Sequence, residues 1–290
     1  MNYEIASEIL NRHIFDGDKT TLLWNIAERP ERFTGLFRPT KPKAKILQYL
    51  LQSHEIRFGD AMEELIKAII RDLGYTNLSP HTQGVEGEDL SIDQYFTDGS
   101  RHYFVEQKVR DDHDSTKKRG QIDNFEKKLD TLQKLHGNKL IGIMHFIDPD
   151  LVKNRNFYFQ KLSEYSEFYN VELHLFYGAE FFTFLDQPNL WDDLIDWLKQ
   201  WKNALPELPE ISFDSTPEAS FQEIKELENR TWRKLITNDR LWDQAIMSAL
   251  FKEGTTLSLL LEHFRLESAS PYPQLARALS LRLQKYYPGK

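Results

Sequence analysis

The chain has 290 residues, 40% hydrophobic and 28% charged, with a formal net charge of −8 and no cysteine. Such a composition supports a globular protein with a real core. Without cysteine there can be no disulfides, thiolate zinc sites, iron–sulfur clusters or cysteine nucleophile, and the acidic balance excludes a histone-like polyanion binder while leaving room for a local basic groove. No apolar run approaches the roughly 18–20 residues of a membrane span. The first residues carry acids and no apolar signal core, so no membrane association and a cytoplasmic location are expected.

Residues 1–58 read as short helices, with apolar faces at Ile5, Ile9, Leu10, Ile14 and at 22–26. Residues 38–45 (Arg-Pro-Thr-Lys-Pro-Lys-Ala-Lys) bring cations together without an acid, and their prolines predict a flexible segment with no regular helix at its start. A strong helix is expected over 59–73, where Met62, Leu65, Ile66, Ile69, Ile70 and Leu73 form one stripe and Gly74 stops it.

From about residue 90 the period changes. Runs 90–96 and 101–109 are strand-like and flank Thr97-Asp-Gly-Ser100, a hairpin signal. A charged loop is expected over 110–120. A helix comes next on Ile122, Phe125, Leu129, Leu132 and Leu135, then a buried strand over 139–146. A helix over 156–169, a strand over 171–176 and helices over 178–185 and 191–201 complete the pattern. Residues 204–220, rich in proline, serine and acids, read as a linker to an all-helical remainder. The expected fold is α/β: a central mixed β-sheet flanked by helices, with an N-terminal helical extension and a C-terminal helical module. The expected division is 1–205 as a catalytic domain with its extension, and 206–290 as linker and helical module.

The hairpin carries the chemistry. Its first strand holds Asp93, and its second holds Glu106-Gln-Lys108. Residues two apart in a strand share a face, so Glu106 and Lys108 point one way while Tyr103, Val105, Gln107 and Val109 point the other. Carboxylates on neighbouring strands suit a hard divalent cation such as Mg²⁺. An ammonium beside them suits orienting a water and offsetting phosphate charge. Asp93 and Glu106 lie among Ile, Tyr, Phe and Val, where a carboxylate without a task is costly. The plain alternative is a solvated hairpin with a surface ion pair.

An acid on one strand, Glu-x-Lys on the next and a helix on either side resembles the PD-(D/E)XK nuclease superfamily, best known from type II restriction endonucleases. The resemblance spans roughly residues 55–185. It departs from the family pattern at Ile92, where many members carry proline. It implies a mixed sheet flanked by helices and Mg²⁺-dependent, sequence-specific hydrolysis of double-stranded DNA, with Asp93 and Glu106 as metal ligands and Lys108 as catalytic lysine. Members often add a glutamate on the preceding helix. Of Glu63 and Glu64, Glu63 borders the apolar stripe and is the better match. A polar group on the helix after the hairpin matches Gln121 best. Palindrome cutters of the family are usually homodimers, and the same is expected here.

Cations and hydroxyls after Lys108 suit DNA phosphates: Arg110, Ser115, Thr116, Lys117, Lys118 and Arg119. Asp111, Asp112 and Asp114 oppose this unless they are paired locally. Arg38, Lys41 and Lys43 form a second candidate phosphate contact. Two other functions compete: a repair or recombination nuclease of the same superfamily, and a DNA-binding or interaction protein on an inactive nuclease fold. The intact set Asp93, Glu106 and Lys108 speaks against the inactive fold.

Overall fold

The computed structural model describes residues 1–290 except Leu36, Arg38, Val85, Glu86, Gly289 and Lys290, so the candidate Arg38 lies outside the described residues. The chain begins with helices α1 (Tyr3–Phe15), α2 (Asp18–Glu28) and α3 (Pro42–Asp72). Strands β1 (Thr76–Asn77), β2 (His81–Gln83), β3 (Asp89–Ser91), β4 (Gln94–Thr97) and β5 (His102–Lys108) come after them. Next are α4 (Ser115–His136), β6 (Leu140–Phe146), α5 (Arg155–Tyr169), β7 (Glu172–Tyr177), α6 (Ala179–Phe184) and α7 (Asn189–Ala204). The remainder is helical: α8 (Pro217–Ile224), α9 (Asn229–Thr237), α10 (Asp239–Asp243), α11 (Ile246–Leu250), α12 (Thr255–Leu266) and α13 (Tyr272–Tyr286).

Two compact units result: Met1–His13 with Arg57–Leu205, and Ile14–Ile56 with Pro206–Lys290. The first unit holds a mixed five-stranded sheet in the order β1-β4-β5-β6-β7. The β4–β5 hairpin is antiparallel, and its turn is closed by Asp98 Oδ1, which accepts from Ser100 N and Arg101 N at 2.7 Å each. Gly99 takes φ 90° there, a conformation glycine adopts without strain. β5–β6 and β6–β7 are parallel, each joined through a helix, as parallel pairing requires. Both faces of β6 are covered, and all of its residues are buried.

Alternation along β5 divides the core. Phe104 faces α4, where its ring meets Phe125 at 4.9 Å, while Tyr103 takes the opposite face and stacks on Phe96 at 4.9 Å. Opposite Phe104 in register stands Gly142, where a Cβ would come within 2.5 Å of the Phe104 ring. On the α4 side Ile122, Phe125, Leu129, Leu132, Met144 and Phe146 form one cluster. This mixed sheet with flanking helices is the α/β fold expected from the sequence.

Four local expectations are corrected. The strand-like run 90–96 is not one strand: β3 pairs with β2, and β4 joins the main sheet, with Ile92 and Asp93 at the break. The prolines do not make 38–45 flexible throughout, because α3 starts at Pro42 and carries Lys43 in its first turn. Proline is tolerated there, since the first N–H groups of a helix have no partner to lose. The loop expected over 110–120 ends at Asp114, whose Oδ1 accepts from Thr116 N at 3.0 Å and Lys117 N at 2.9 Å, capping α4. Finally, 204–220 is partly core, since Ile211 and Phe213 are buried with Leu22, Ile46, Trp232, Leu257 and Phe264 in the second unit.

His145, on the face of β6 opposite α4, is fully buried and stacks on Phe181 at 4.7 Å. Burial pushes its pKa down to about 4, below the ordinary 6.5, although the Gly178 carbonyl opposes this slightly. An imidazole kept neutral in the fold is protonated more readily in the unfolded chain. Stability is therefore full above pH 6.5 and is lost as pH falls from there toward 4. Guanidinium unfolding at pH 7.5 and pH 4.5 measures this. His145→Gln should lose less stability than wild type over that interval, by roughly 2–3 kcal/mol.

Candidate active site

The main site gathers at the C-terminal end of β5. Asp93 Oδ2 accepts from the backbone N–H of Gln107 at 2.8 Å and from Lys108 Nζ at 2.9 Å. The same ammonium lies 2.8 Å from Glu106 Oε1 and donates to the Gln107 carbonyl at 2.8 Å. Lys108 Nζ thus bridges a carboxylate at the end of one strand segment and a carboxylate on its neighbour. The strand break at Ile92–Asp93 makes this possible, because it frees Asp93 from the ladder and turns its side chain onto β5.

Glu106 is 2% exposed, and its second oxygen, Oε2, accepts from Lys128 of α4. Lys128 is itself 2% exposed and lies 4.0 Å from Asp93 Oδ1. The sequence reading missed Lys128. Its signal was there: it stands three residues after Phe125 and four before Leu132, on the buried stripe of α4.

Glu63 reaches the cluster from α3. Gln94, buried at the start of β4, donates from Nε2 to the Glu63 carbonyl at 2.7 Å and fixes this turn of helix against the sheet. Burial, then the charge of Asp93, raises the Glu63 carboxyl to about 7, with Lys108 opposing and Asp60 and Glu106 adding to the rise. Glu64 pairs instead with Lys67 at 3.4 Å on the same helix.

Burial also raises Asp93, helped by the charge of Glu106 and only partly offset by Lys108. Glu106 is held below the ordinary carboxylate range, because Lys108 and Lys128 together outweigh its burial. For Lys108, burial pulls downward, but Glu106 and Asp93 win and raise it above the ordinary lysine value. Glu106 is the firmly ionised acid of the pair, and the ammonium between the two is fully charged at neutral pH.

The chemistry of this donor set fits a hard divalent cation. Mg²⁺ binds through one or two carboxylates and keeps its remaining positions for water and phosphate oxygens. Asp93 and Glu106 already converge on one cation, the Lys108 ammonium, within hydrogen-bond distance of both. Among the described residues no group of three or more His, Asp or Glu forms a closed metal cage.

The residues proposed for DNA contact are scattered. Thr116, Lys117 and Arg119 are exposed on the first turns of α4, and Ser115 is exposed where that helix begins. Successive helical residues point about 100° apart, so Lys117, Lys118 and Arg119 do not share one face. Lys118 lies 4.5 Å over the ring of Phe157. Gln121 is partly buried and accepts from Tyr158 OH at 2.6 Å, so it is tied to α5 rather than to the carboxylates. Arg110 is exposed just after β5. Of the opposing acids, Asp111 is buried and accepts from Asn154 Nδ2 at 2.8 Å and Tyr177 OH at 2.9 Å, and Asp114 is the α4 cap. Lys41 is exposed before α3, and Lys43 lines a cavity with Glu210, Asp214 and Lys252. Both belong to the second unit.

A family model described as type II restriction endonuclease, HinfI, matches residues 2–84 and 79–202, more than half of the chain. No curated protein sequence matches it. No helix among the described residues is long and apolar enough to cross a membrane.

The raised carboxyl of Glu63 has a thermodynamic sign. The fold holds its proton more tightly than the unfolded chain does, so Glu63 weakens the fold as pH rises from about 4.5 through 7. In the absence of divalent metal, Glu63→Gln should be more stable than wild type at pH 8, by about 1–2 kcal/mol after allowing for solvent at this half-buried group. The difference should close by pH 4.5. Thermal melts at both pH values check this.

Proposed function

The chain belongs to the HinfI family of type II restriction endonucleases, and we propose that it is a Mg²⁺-dependent enzyme that hydrolyses double-stranded DNA at a specific sequence. The observation that carries this reading is the Lys108 ammonium bridging Asp93 and Glu106 across neighbouring strands. A buried set of this kind is expensive as mere structure, since desolvating two carboxylates and an ammonium offsets much of their attraction.

Asp93 and Glu106 would hold Mg²⁺. Held by these two residues, such a cation would supply Lewis-acid polarisation of a phosphate and a more acidic water. Lys108 orients the attacking water by donating to it and screens the charge that builds on the phosphate. The sheet supports this by holding Lys108 and Glu106 on one face, two residues apart. Glu63 acts as an auxiliary acid at the same cluster, and its raised carboxyl leaves it able to carry a proton near neutral pH. Gln94 and the Gln107 N–H keep Glu63 and Asp93 in place.

In this reading the exposed Arg110, Ser115, Thr116, Lys117 and Arg119, with Lys118 beside Phe157, supply backbone contacts near the cut. Gln121 supports this surface through Tyr158. Lys41 and Lys43 of the second unit are further candidates for the DNA backbone. A two-fold homodimer suits cleavage of both strands of a palindrome. The enzyme would act where DNA is met in the cytoplasm.

Unmethylated phage DNA, digested with Mg²⁺ and with EDTA, tests the whole reading. Wild type with Mg²⁺ should give discrete bands, and Lys108→Ala should cut about 10²–10⁴-fold more slowly while remaining folded. A smear would keep the nuclease and overturn sequence specificity. Uncut DNA, with wild type and variant alike on several substrates, would overturn the catalytic assignment.

A further inference from the structure

The proposed mechanism leaves one buried charge without a task. Lys128 lies deep in the first unit, with its side chain 3% exposed, on the stripe where Phe125, Leu129 and Leu132 anchor α4. Most lysines of this chain stay at the surface, where the ammonium keeps its water. Here the ammonium is desolvated and donates to Glu106 Oε2. Lys108 meets the same carboxylate at its other oxygen, Oε1, at 2.8 Å. Both oxygens of Glu106 therefore carry an ammonium, and a metal that approaches the side of Glu106 facing Asp93 competes with one of them for the carboxylate.

The surroundings decide which one leaves. The Lys108 side chain is 28% exposed and sits at the last residue of β5, so it can turn toward solvent or a bound phosphate. Lys128 is enclosed, its side chain 3% exposed on the buried stripe of α4. Its contact with Glu106 Oε2 also fixes the rotation of the carboxylate about its last side-chain bond, and so the direction of Oε1.

We propose that Lys128 is a positioning residue for DNA cleavage: it stays on Glu106 Oε2 when the metal arrives and holds Oε1, given up by Lys108, toward the metal. This rests on Asp93 and Glu106 being the metal ligands. It assigns different parts to the two lysines, one displaced into the reaction and one fixed behind the ligand. Groups that orient a metal ligand from behind commonly matter for affinity about as much as this role requires.

Lysine side-chain ¹⁵N NMR of the full wild-type chain, without DNA, tests the proposal directly. Lys108→Arg and Lys128→Arg assign the two protected ammonium signals. On addition of Mg²⁺ the Lys108 signal should move or vanish into solvent exchange, and the Lys128 signal should persist. Loss of the Lys128 signal with retention of Lys108 would overturn the proposal. Calorimetric titration with Mn²⁺ gives a second reading. Lys128→Met should bind Mn²⁺ about tenfold more weakly than wild type, the loss expected when a ligand's orienting partner goes. Lys108→Met should bind it at least as tightly, because a competitor has been removed. If Lys128→Met, once shown to be folded, binds Mn²⁺ as well as wild type or better, Lys128 is not a positioning residue. If Asp93→Asn binds Mn²⁺ as wild type does, the metal-ligand assignment falls and this inference falls with it. Should Lys128→Met fail to fold, the wild-type NMR experiment decides alone.

Discussion

Everything at the site turns on keeping two carboxylates ionised inside a sheet. Glu106 is as buried as the leucines around it, and a lone carboxylate in such a place would simply take up a proton. It stays charged because ammonium groups reach it from two directions, one from its own strand and one from α4. Asp93 has a weaker hold: one ammonium and one backbone N–H in contact, with Lys128 at the margin. Glu63 is raised to about 7, by burial first and then by the charge of Asp93, with Lys108 opposing. Glu106 is thus held below the ordinary carboxylate range while Asp93 and Glu63 are raised above it, the balance being struck between burial and the cations each acid meets. Placing a permanently ionised acid beside one that can exchange a proton is how many sites divide ligand and acid–base duties.

The rest of the first unit serves that balance. The break between β3 and β4 delivers Asp93 to the end of β5. The parallel pairing of β5 with β6 covers its far side. The close approach of Gly142 to Phe104 lets the sheet pack tightly one step before Glu106. Asp111, which alone would repel a nucleic acid, is consumed in joining the end of β5 to Asn154 and Tyr177.

Much of this could be read from the residues. The Asp-Gly turn and the period-two alternation around Glu106-Gln-Lys108 specify the hairpin, and the stripe from Met62 to Ile70 specifies the helix before it. These are local patterns, and the strands and helices of the α/β fold arise from them. The structure brings Asp93, Glu106 and Lys108 within bonding distance and puts Glu63 in their field. Lys128 was not read because α4 carries five other lysines and arginines, Lys117, Lys118, Arg119, Lys127 and Lys134, and only its spacing from Phe125 and Leu132 marks it as the one that turns inward. The strand break was hidden for another reason: apolar residues recur through 90–96 as in a single strand, at Leu90, Ile92, Tyr95 and Phe96, and the change of partner is set by pairing with β2 on one side and β5 on the other, which the run itself does not show. The helical start at Pro42 was obscured because proline reads as a breaker and here opens the first turn.

The second unit is assembled from both ends of the sequence: Leu22 and Ile26 near the start share a core with Trp232, Leu257 and Leu279 near the end. A polypeptide is made from one end, so these early residues must wait for partners more than 200 positions later, a long loop to close. The stretch carrying β4, β5 and α4 lies wholly between them and leaves the ribosome before those later partners do. The nuclease-like sheet therefore has its full complement of strands while residues 14–56 are still without most of their core. During synthesis their apolar faces stay exposed until the last helices appear, and that interval is when this chain is most open to aggregation or proteolysis.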